Sequence, residues 1–566
     1  MTSIVDTAIA TNPKAAIAGP AHRRMAWLGS ALLVAALTAA ALLNALLIAG
    51  KLIQTSDTAV SLLAADAVLH GNVLLRGWHM VADNFYFTDI LPFAAFEAVL
   101  GPRPWLLALV PAVTYATVVF LVAMSCIGKH RRYLHNFEAA AGIAVLLSSP
   151  RWVGIWDPEL FADMHLASVL GALAAMILSA RHVEDDEAGK PGRATASVAL
   201  VAVTLATVAS DPFSLVFGFG PALAVMAADV LSRGARPGLV AALASMAAGV
   251  AIGGVLPLAV AAMGGFATAN NIVPAFVSAP QLGRNIVCII FGNLYSYGAY
   301  PFGLDARTWP AALAILFAAA FTLVVIAVVR VAKRLLANEQ VALLDRMLCA
   351  GVLCVLTACA LSGQFNREIG PLGMWTGGGA VRYLAPAVLF AASLAARQVP
   401  VLLAGLSAPR PRFVARGALF ATAAAIMICG SGLSNTVAAQ PSWLPDDPPY
   451  AAARWLEQHG LTLGVGDYWS SNIVTAMSGL RVRVRSVAPR NGRLVAVAWA
   501  SDETGYPSRP QFVMWQEPNQ ARLTLATVRA TYAKDICRLS EVAGYRIAIL
   551  TRGGASDRSC VNQGGS

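Results

Sequence analysis

Residues 23–58 read RRMAWLGSALLVAALTAAALLNALLIAGKLIQTSDT. Arg23 and Arg24 precede an apolar run from Met25 to Gly50, and the polar stretch Thr55-Ser56-Asp57-Thr58 follows it. A membrane-crossing helix needs about 20 mostly apolar residues, and this run exceeds that. It also exceeds the apolar core of a secretory signal, about 7–15 residues, so it reads as a retained anchor. The rest of the chain agrees. Of its 566 residues, 57% are hydrophobic and 13% charged, and mean hydropathy is +0.64. A water-soluble domain carries about 25% charged residues, so most of this surface must lie out of water.

Further spans are predicted at Trp105–Ile127, Phe137–Leu147, Phe161–Ala180, Ala194–Ala209, Ser214–Leu231, Leu239–Met263, Ala311–Arg330, Met347–Leu361, Tyr383–Ala396 and Gly417–Ser431. The fold class is therefore an α-helical polytopic membrane protein of about 11 helices, with a small C-terminal α/β domain. Three regions follow: a tail over 1–24, a multi-helix domain over 25–434, and a water-soluble domain over 435–566.

The positive charges alternate along the chain. Lys14, Arg23 and Arg24 occupy the tail. Alternate loops hold Lys129, Arg131 and Arg132, then Arg181, Lys190 and Arg193, then Arg233 and Arg236. Arg330, Lys333, Arg334 and Arg346 follow, and then Arg397, Arg410, Arg412 and Arg416. Cytoplasmic loops are enriched in Lys and Arg, so the tail reads as cytoplasmic and the C-terminal domain as extracytoplasmic, in a bacterial inner membrane. The net charge of +11 is thus a topology signal, and nucleic acid is not an expected partner. The long loops, 51–104, 264–310 and 362–382, all fall on the outer side. Loops held by a rigid scaffold carry function, so the chemistry is expected there.

Asp57 leaves the bilayer directly after the first span. Partial desolvation raises a carboxylate's basicity, which suits a general base; an N-cap for the next helix is the competing role. Asp83 and Asp89 lie among Phe85, Tyr86 and Phe87, a setting that suits a sugar face or a membrane-interface belt. Thr88 or Asp89 is expected near the N-cap of a helix over Thr88–Leu100. Asp157 and Glu159 precede the fourth span, with Asp163 and His165 inside its first turns. Such a set could hold a divalent cation, Mg or Mn, or could cap the helix. Asp211, in Ser210-Asp211-Pro212, reads as a cap. Arg284, Arg307, Arg367 and Arg382 are outer-side positives that run against the charge rule. Arg matches phosphate with a bidentate fork, and Arg382-Tyr383 at the tenth span would meet a lipid phosphate at headgroup depth. No Gly-x-Ser-x-Gly, His-Glu-x-x-His or dinucleotide fingerprint occurs.

In the C-terminal region, helices are predicted at Tyr450–His459, Trp469–Ser478 and Leu523–Lys534. Strands are predicted at Leu461–Val465, Val482–Val487, Leu494–Trp499, Gln511–Trp515 and Tyr545–Thr551, giving a small α/β sandwich. Cys537 and Cys560 are expected to pair as a disulfide in an oxidising compartment.

The run Ser56-Asp57-Thr58, Leu69-His70-Gly71-Asn72, Gly77-Trp78 and Phe85-Tyr86-Phe87-Thr88-Asp89 resembles uncharacterised bacterial members of the C-type glycosyltransferase superfamily (GT-C). The architecture is similar too: many spans, a long first outer loop, an acidic residue after span one, and an outer C-terminal domain with Gly466-Asp467-Tyr468-Trp469. The resemblance implies a polyprenyl-phosphate or polyprenyl-diphosphate sugar donor and a glycan, lipid or protein acceptor. It implies Asp57 as base, a second acidic site at Asp157 or Glu159, and Arg382 on the lipid phosphate. Members often carry an acidic pair after span one; here Thr58 follows Asp57. A transporter of lipid-linked intermediates and a non-catalytic envelope assembly protein are the alternatives.

Overall fold

The computed structural model describes residues 32–46 in part, 55–126, 165–189, 193–268, 276–299, 307–363, 379–404, 447–497, 499–516 and 523–551. The predicted spans Phe137–Leu147 and Gly417–Ser431 lie outside the described residues, as do Asp157, Glu159, Asp163, Arg367 and Cys560.

After a helical run at Val34–Leu46, the first long loop forms α1 (Ser56–Leu69), the short strand β1 (Trp78–Met80) and α2 (Leu91–Leu100). The membrane helices follow: α3 (Leu106–Ser125), α4 (Leu166–Glu187), α5 (Arg193–Ser210), α6 (Gly220–Arg233) and α7 (Pro237–Ala262). Strand β2 (Ala267–Thr268) and the amphipathic α8 (Ala279–Ser296) precede α9 (Trp309–Leu336), α10 (Leu343–Leu361) and α11 (Ala385–Ala404). Among the described residues, six helices are long and apolar enough to cross a membrane. They coincide with six of the predicted spans, and the chain is a multi-pass membrane protein. Val34–Leu46 and Ala194–Ser210 are shorter apolar helices.

Helix ends gather on two faces. On one, the backbone N–H of Phe85 donates to the Ser210 carbonyl (3.0 Å) and that of Val277 to the Leu361 carbonyl (3.2 Å). On the other, Arg236 pairs with Glu187 (2.5 Å), Arg346 with Asp229, and Arg397 with Asp345. The second face carries the arginines that the sequence assigns to one side, and the first carries the long loops.

Close helix packing rests on small residues. Gly249 and Gly253 of α7, four apart, face Thr204, Leu205 and Val208 of α5. Apolar helices in lipid gain little from burial against one another, so small residues that let backbones approach are the usual contact. Gly254, the next residue, faces open space.

The C-terminal domain contains α12 (Pro448–Gln458), β3 (Leu463–Gly466), α13 (Tyr468–Met477), β4 (Arg483–Arg490), β5 (Arg493–Ala496) and β6 (Ser501–Asp502). It continues with β7 (Phe512–Gln516), α14 (Leu525–Tyr532), β8 (Ile536–Val542) and β9 (Tyr545–Leu550). Its six-stranded sheet has the order β5-β4-β3-β7-β9-β8. The central three strands are parallel and the rest antiparallel. Strand residues alternate between two cores. Phe512, Met514, Ile547 and Ile549 face α12 and α13; Val513, Trp515, Ala548 and Leu550 face α14. The layers are helix, sheet, helix. The helices and strands predicted here are all present; β6 and β8 were not expected.

The first of those cores does not stop at the domain. It continues into Ala59, Leu62 and Ala65 of α1, Phe93 of α2, and Leu106 and Leu107 of α3. A second sheet crosses the same boundary. Strand β1 pairs in parallel with β2 and antiparallel with β6, so three distant parts of the chain share one ladder. Substituting Gly253 by Val should lower the thermal midpoint of the detergent-solubilised protein, since its Cβ would lie 2.8 Å from the Leu205 carbonyl oxygen. Backbone cannot yield as a side chain can, and overpacking typically costs about 1–3 kcal/mol. The neighbouring Gly254→Val should leave the midpoint unchanged; equal effects would refute the close helix contact.

Candidate functional site

The described functional candidates, Arg284 apart, meet on the loop-bearing face. Asp57 lies in the first turn of α1 but does not cap it. The N-cap is Thr55, whose N–H donates to Thr58 Oγ1 (3.1 Å). The Asp57 carboxylate is turned outward from that role and accepts a hydrogen bond from the Tyr468 hydroxyl of α13. Burial raises its pKa, while the Tyr468 hydrogen bond and the Arg382 charge hold it back.

Asp83 begins a segment docked onto the end of α5. Asn84 Nδ2 donates to the Ala209 carbonyl (2.7 Å), and the N–H of Phe87 to Ser210 Oγ (2.8 Å). Phe85 takes a left-handed backbone, φ 52°, to enter a π-helical turn, Tyr86–Ile90. The expected helix start at Thr88 is therefore corrected: α2 begins at Leu91, because the preceding turn, Tyr86–Ile90, winds wider than an α-helix. Asp89 is buried inside that turn and accepts from Thr88 Oγ1 (2.7 Å). Burial pushes its pKa up to about 7.

His165 also has a left-handed backbone, φ 73°, at the start of α4. Its Nδ1 lies 2.7 Å from Asp211 Oδ2, with both side chains buried. Asp211 was expected only to cap; the helix that follows has Ser214 as its N-cap, and Asp211 instead accepts from the Phe213 N–H (2.9 Å) in the preceding turn and holds the imidazole. Asp83 completes the group: ligating atoms of Asp83, His165 and Asp211 all lie within 4.8 Å of one another. Burial and the Asp211 carboxylate push Asp83 up to about 6, against the opposing charges of His165 and Arg382. Burial disfavours the His165 imidazolium, yet Asp211 and Asp83 outweigh it and raise its pKa. Two carboxylates and an imidazole at this spacing share protons readily. One nitrogen and two oxygen donors would also suit Mn better than Mg. Of the four residues expected around a cation, His165 alone is described, and its partners are Asp83 and Asp211.

Arg382, in a 3₁₀ turn at Gly379–Leu384, acts electrostatically on Asp57, Asp83 and His165 alike. Its guanidinium lies 5.1 Å from the Tyr383 ring centroid, and that ring is 5.7 Å from His165. Phe85 and Phe213 flank the imidazole at 5.7 and 5.2 Å. Arg284 is exposed on α8 and does not act on these groups.

Tyr468 and Asp211 are the residues whose part was not foreseen. The carboxylate in Ser210-Asp211-Pro212, at a helix end, is the one available signal for Asp211. Cys537 is disulfide-bonded. No protein-family model matches the chain, and no curated protein is similar to it in sequence.

As pH rises from the ordinary carboxylate range towards about 7, folded Asp89 keeps a proton that the unfolded chain has released, so its contribution to stability falls over that interval and stays low above it. Asp89→Asn removes this loss. The variant should gain thermal stability over the parent at pH 8 and show a smaller gain, or none, at pH 5. A gain that grows towards pH 5 would contradict a carboxyl kept neutral by burial.

Proposed function

We propose that this protein is a membrane glycosyltransferase that takes a sugar from a polyprenyl-phosphate or polyprenyl-diphosphate donor and passes it to an extracytoplasmic glycan, lipid or protein. The observation that carries the proposal is the convergence of Asp57 and Arg382. One follows the first span, the other precedes a late one, and the guanidinium acts on the carboxylate. A base and a phosphate-binding cation at one membrane-interface site are the two groups such a transfer needs.

In the reaction, Asp57 takes the proton of an acceptor hydroxyl as that oxygen attacks the anomeric carbon. The bond from the anomeric carbon to the lipid phosphate breaks, and the phosphate leaves with the electron pair. Arg382 meets the charge that grows on the departing oxygen. Asp83, His165 and Asp211 would hold a divalent cation, which would supply further positive charge beside a diphosphate. Nucleotide sugars are not expected outside the inner membrane, which favours a lipid-linked donor on the loop-bearing side. The full arrangement has about 11 helices, the N-terminus in the cytoplasm, and the α/β domain outside. The arginines on the opposite face and the disulfide at Cys537 support that orientation. The local likeness to C-type glycosyltransferases around Asp57 supports the same reading.

The test is transfer from a labelled polyprenyl-linked sugar pool, in membranes from cells making or lacking the protein. Asp57→Asn is nearly isosteric, and Thr55 caps the helix without it. Expression should survive while transfer falls at least about 10²-fold, since an amide is no base. Arg382→Lys keeps the charge but loses the fork, and should weaken donor use more than folding. Full transfer by Asp57→Asn would end the proposed role of Asp57.

A further inference from the structure

We propose that Tyr468 of the C-terminal domain is a positioning residue for Asp57, so that the reaction centre exists only while that domain is docked. The inference rests on the glycosyl-transfer reading for what Asp57 does, but not for the contact itself.

Three contacts join the first turn of α1 to the first turns of α13. Ser56 Oγ donates to the Tyr468 carbonyl oxygen (2.6 Å). The Ile473 N–H approaches the same Ser56 Oγ (3.4 Å). The Tyr468 hydroxyl donates to Asp57 Oδ1. Tyr468 follows β3 with only Asp467 between them, at the carboxyl end of the central parallel strand. There β4 lies on one side of β3 and β7 on the other. Such crevices at strand carboxyl ends are where open α/β sheets present functional groups. Here the crevice is turned onto the membrane domain.

Local sequence explains the aim of the side chain. Asp467 caps α13, accepting from the N–H groups of Trp469 and Ser470, and Ser470 Oγ donates to its other oxygen (2.6 Å). The carboxylate of Asp467 is thus committed to its own helix, and the next residue is fixed in direction by the cap. Gly466 before it lies against β7, where a Cβ would sit 2.8 Å from the Met514 carbonyl oxygen.

The chemistry follows from the acidity of a phenol. Burial and the adjacent Asp57 charge push the Tyr468 pKa well above its ordinary value. It therefore stays a donor at any pH the protein meets, and it cannot replace Asp57 as base. Its hydrogen bond orients the carboxylate and occupies Oδ1, which leaves Oδ2 to take the acceptor's proton. Tyr468, on α13 packed against α1, and the Arg382 charge, from the 3₁₀ turn at Gly379–Leu384, act on Asp57. Asp467 is spent on its cap, and Asp66 and Glu97 act on one another farther along α1 and α2.

The experiment is Tyr468→Phe in the full chain, which deletes the hydroxyl and keeps the ring and the Tyr468 backbone contact. Infrared titration of the protein in nanodiscs gives the first readout. The protonated-carboxyl signal missing from Asp57→Asn identifies Asp57. In Tyr468→Phe that signal should titrate at higher pH, by about one unit, because a donor to the charged form is gone. The second readout is transfer from the labelled polyprenyl-linked sugar. It should fall about tenfold in kcat with donor KM unchanged, and its acid limb should move to higher pH. An unshifted Asp57 titration overturns the proposal, and so does a shifted titration with unchanged kcat and acid limb. Full transfer by Asp57→Asn with a shifted titration in Tyr468→Phe sinks the glycosyl-transfer reading instead and leaves the hydrogen bond standing.

Discussion

The apolar surface shared between the first long loop and the α/β domain is the constraint on which the rest depends. Leu62 and Ala65 of α1, Phe93 of α2, and Ile473 and Met477 of α13 belong to one continuous core. Neither α1 nor α2 is long enough to span a membrane, and each needs a partner for its apolar side. The domain supplies it. Burial of this kind is non-directional, so the hydrogen bonds of Ser56 and the three-stranded ladder of β2, β1 and β6 set the register. Once α1 is covered, Asp57 at its first turn is taken out of water and must find a polar partner. Tyr468 is that partner.

The second consequence is electrostatic. Asp83 and Asp211 lie close together in a buried place, where like charges repel strongly and a proton or a cation is needed between them. His165 and Arg382 offset part of that charge. Both His165 and Phe85 hold left-handed backbones beside this cluster, and a π-helical turn lies on each side of it, at Tyr86–Ile90 and Leu215–Phe219. Strain of this sort costs roughly 1–3 kcal/mol per residue and persists where surroundings over-determine it. Here the docking of the Asp83–Ile90 segment onto Ala209 and Ser210 does so.

Much of the fold was legible because its signals are local. A span announces itself by about 20 apolar residues, and the loop arginines mark which helix ends share a face. The Asn491-Gly492 turn between β4 and β5, with φ 51° and 74°, has the residues such a hairpin favours, and both flanking strands were expected. The turn Ala543-Gly544 takes the same conformation, φ 50° and 81°, with an Ala where Asn or Asp would be usual; strand β8 before it was accordingly missed. The site was legible only in part. Asp57 and Arg382 stand beside span ends and drew notice for that reason. Asp211 looked like a cap because its partner His165 is 46 residues away. Tyr468 lies 411 residues from Asp57, and no local pattern spans that distance.

A paired-cysteine measurement tests the docking most directly. His79 of β1 stands directly opposite Ser501 of β6 in their antiparallel ladder. Residues so placed have Cα atoms about 4.5–5.5 Å apart, which suits a disulfide. The double variant His79→Cys with Ser501→Cys, in native membranes, should form an intramolecular bond under mild oxidation. A protease site engineered into residues 435–446 makes it visible, since the severed domain should stay attached until reductant is added. The account predicts a near-complete cross-link and an unchanged response of Asp57. A pair that never cross-links, while each single cysteine is present and labelled, would contradict the claim that the α/β domain closes over the first long loop.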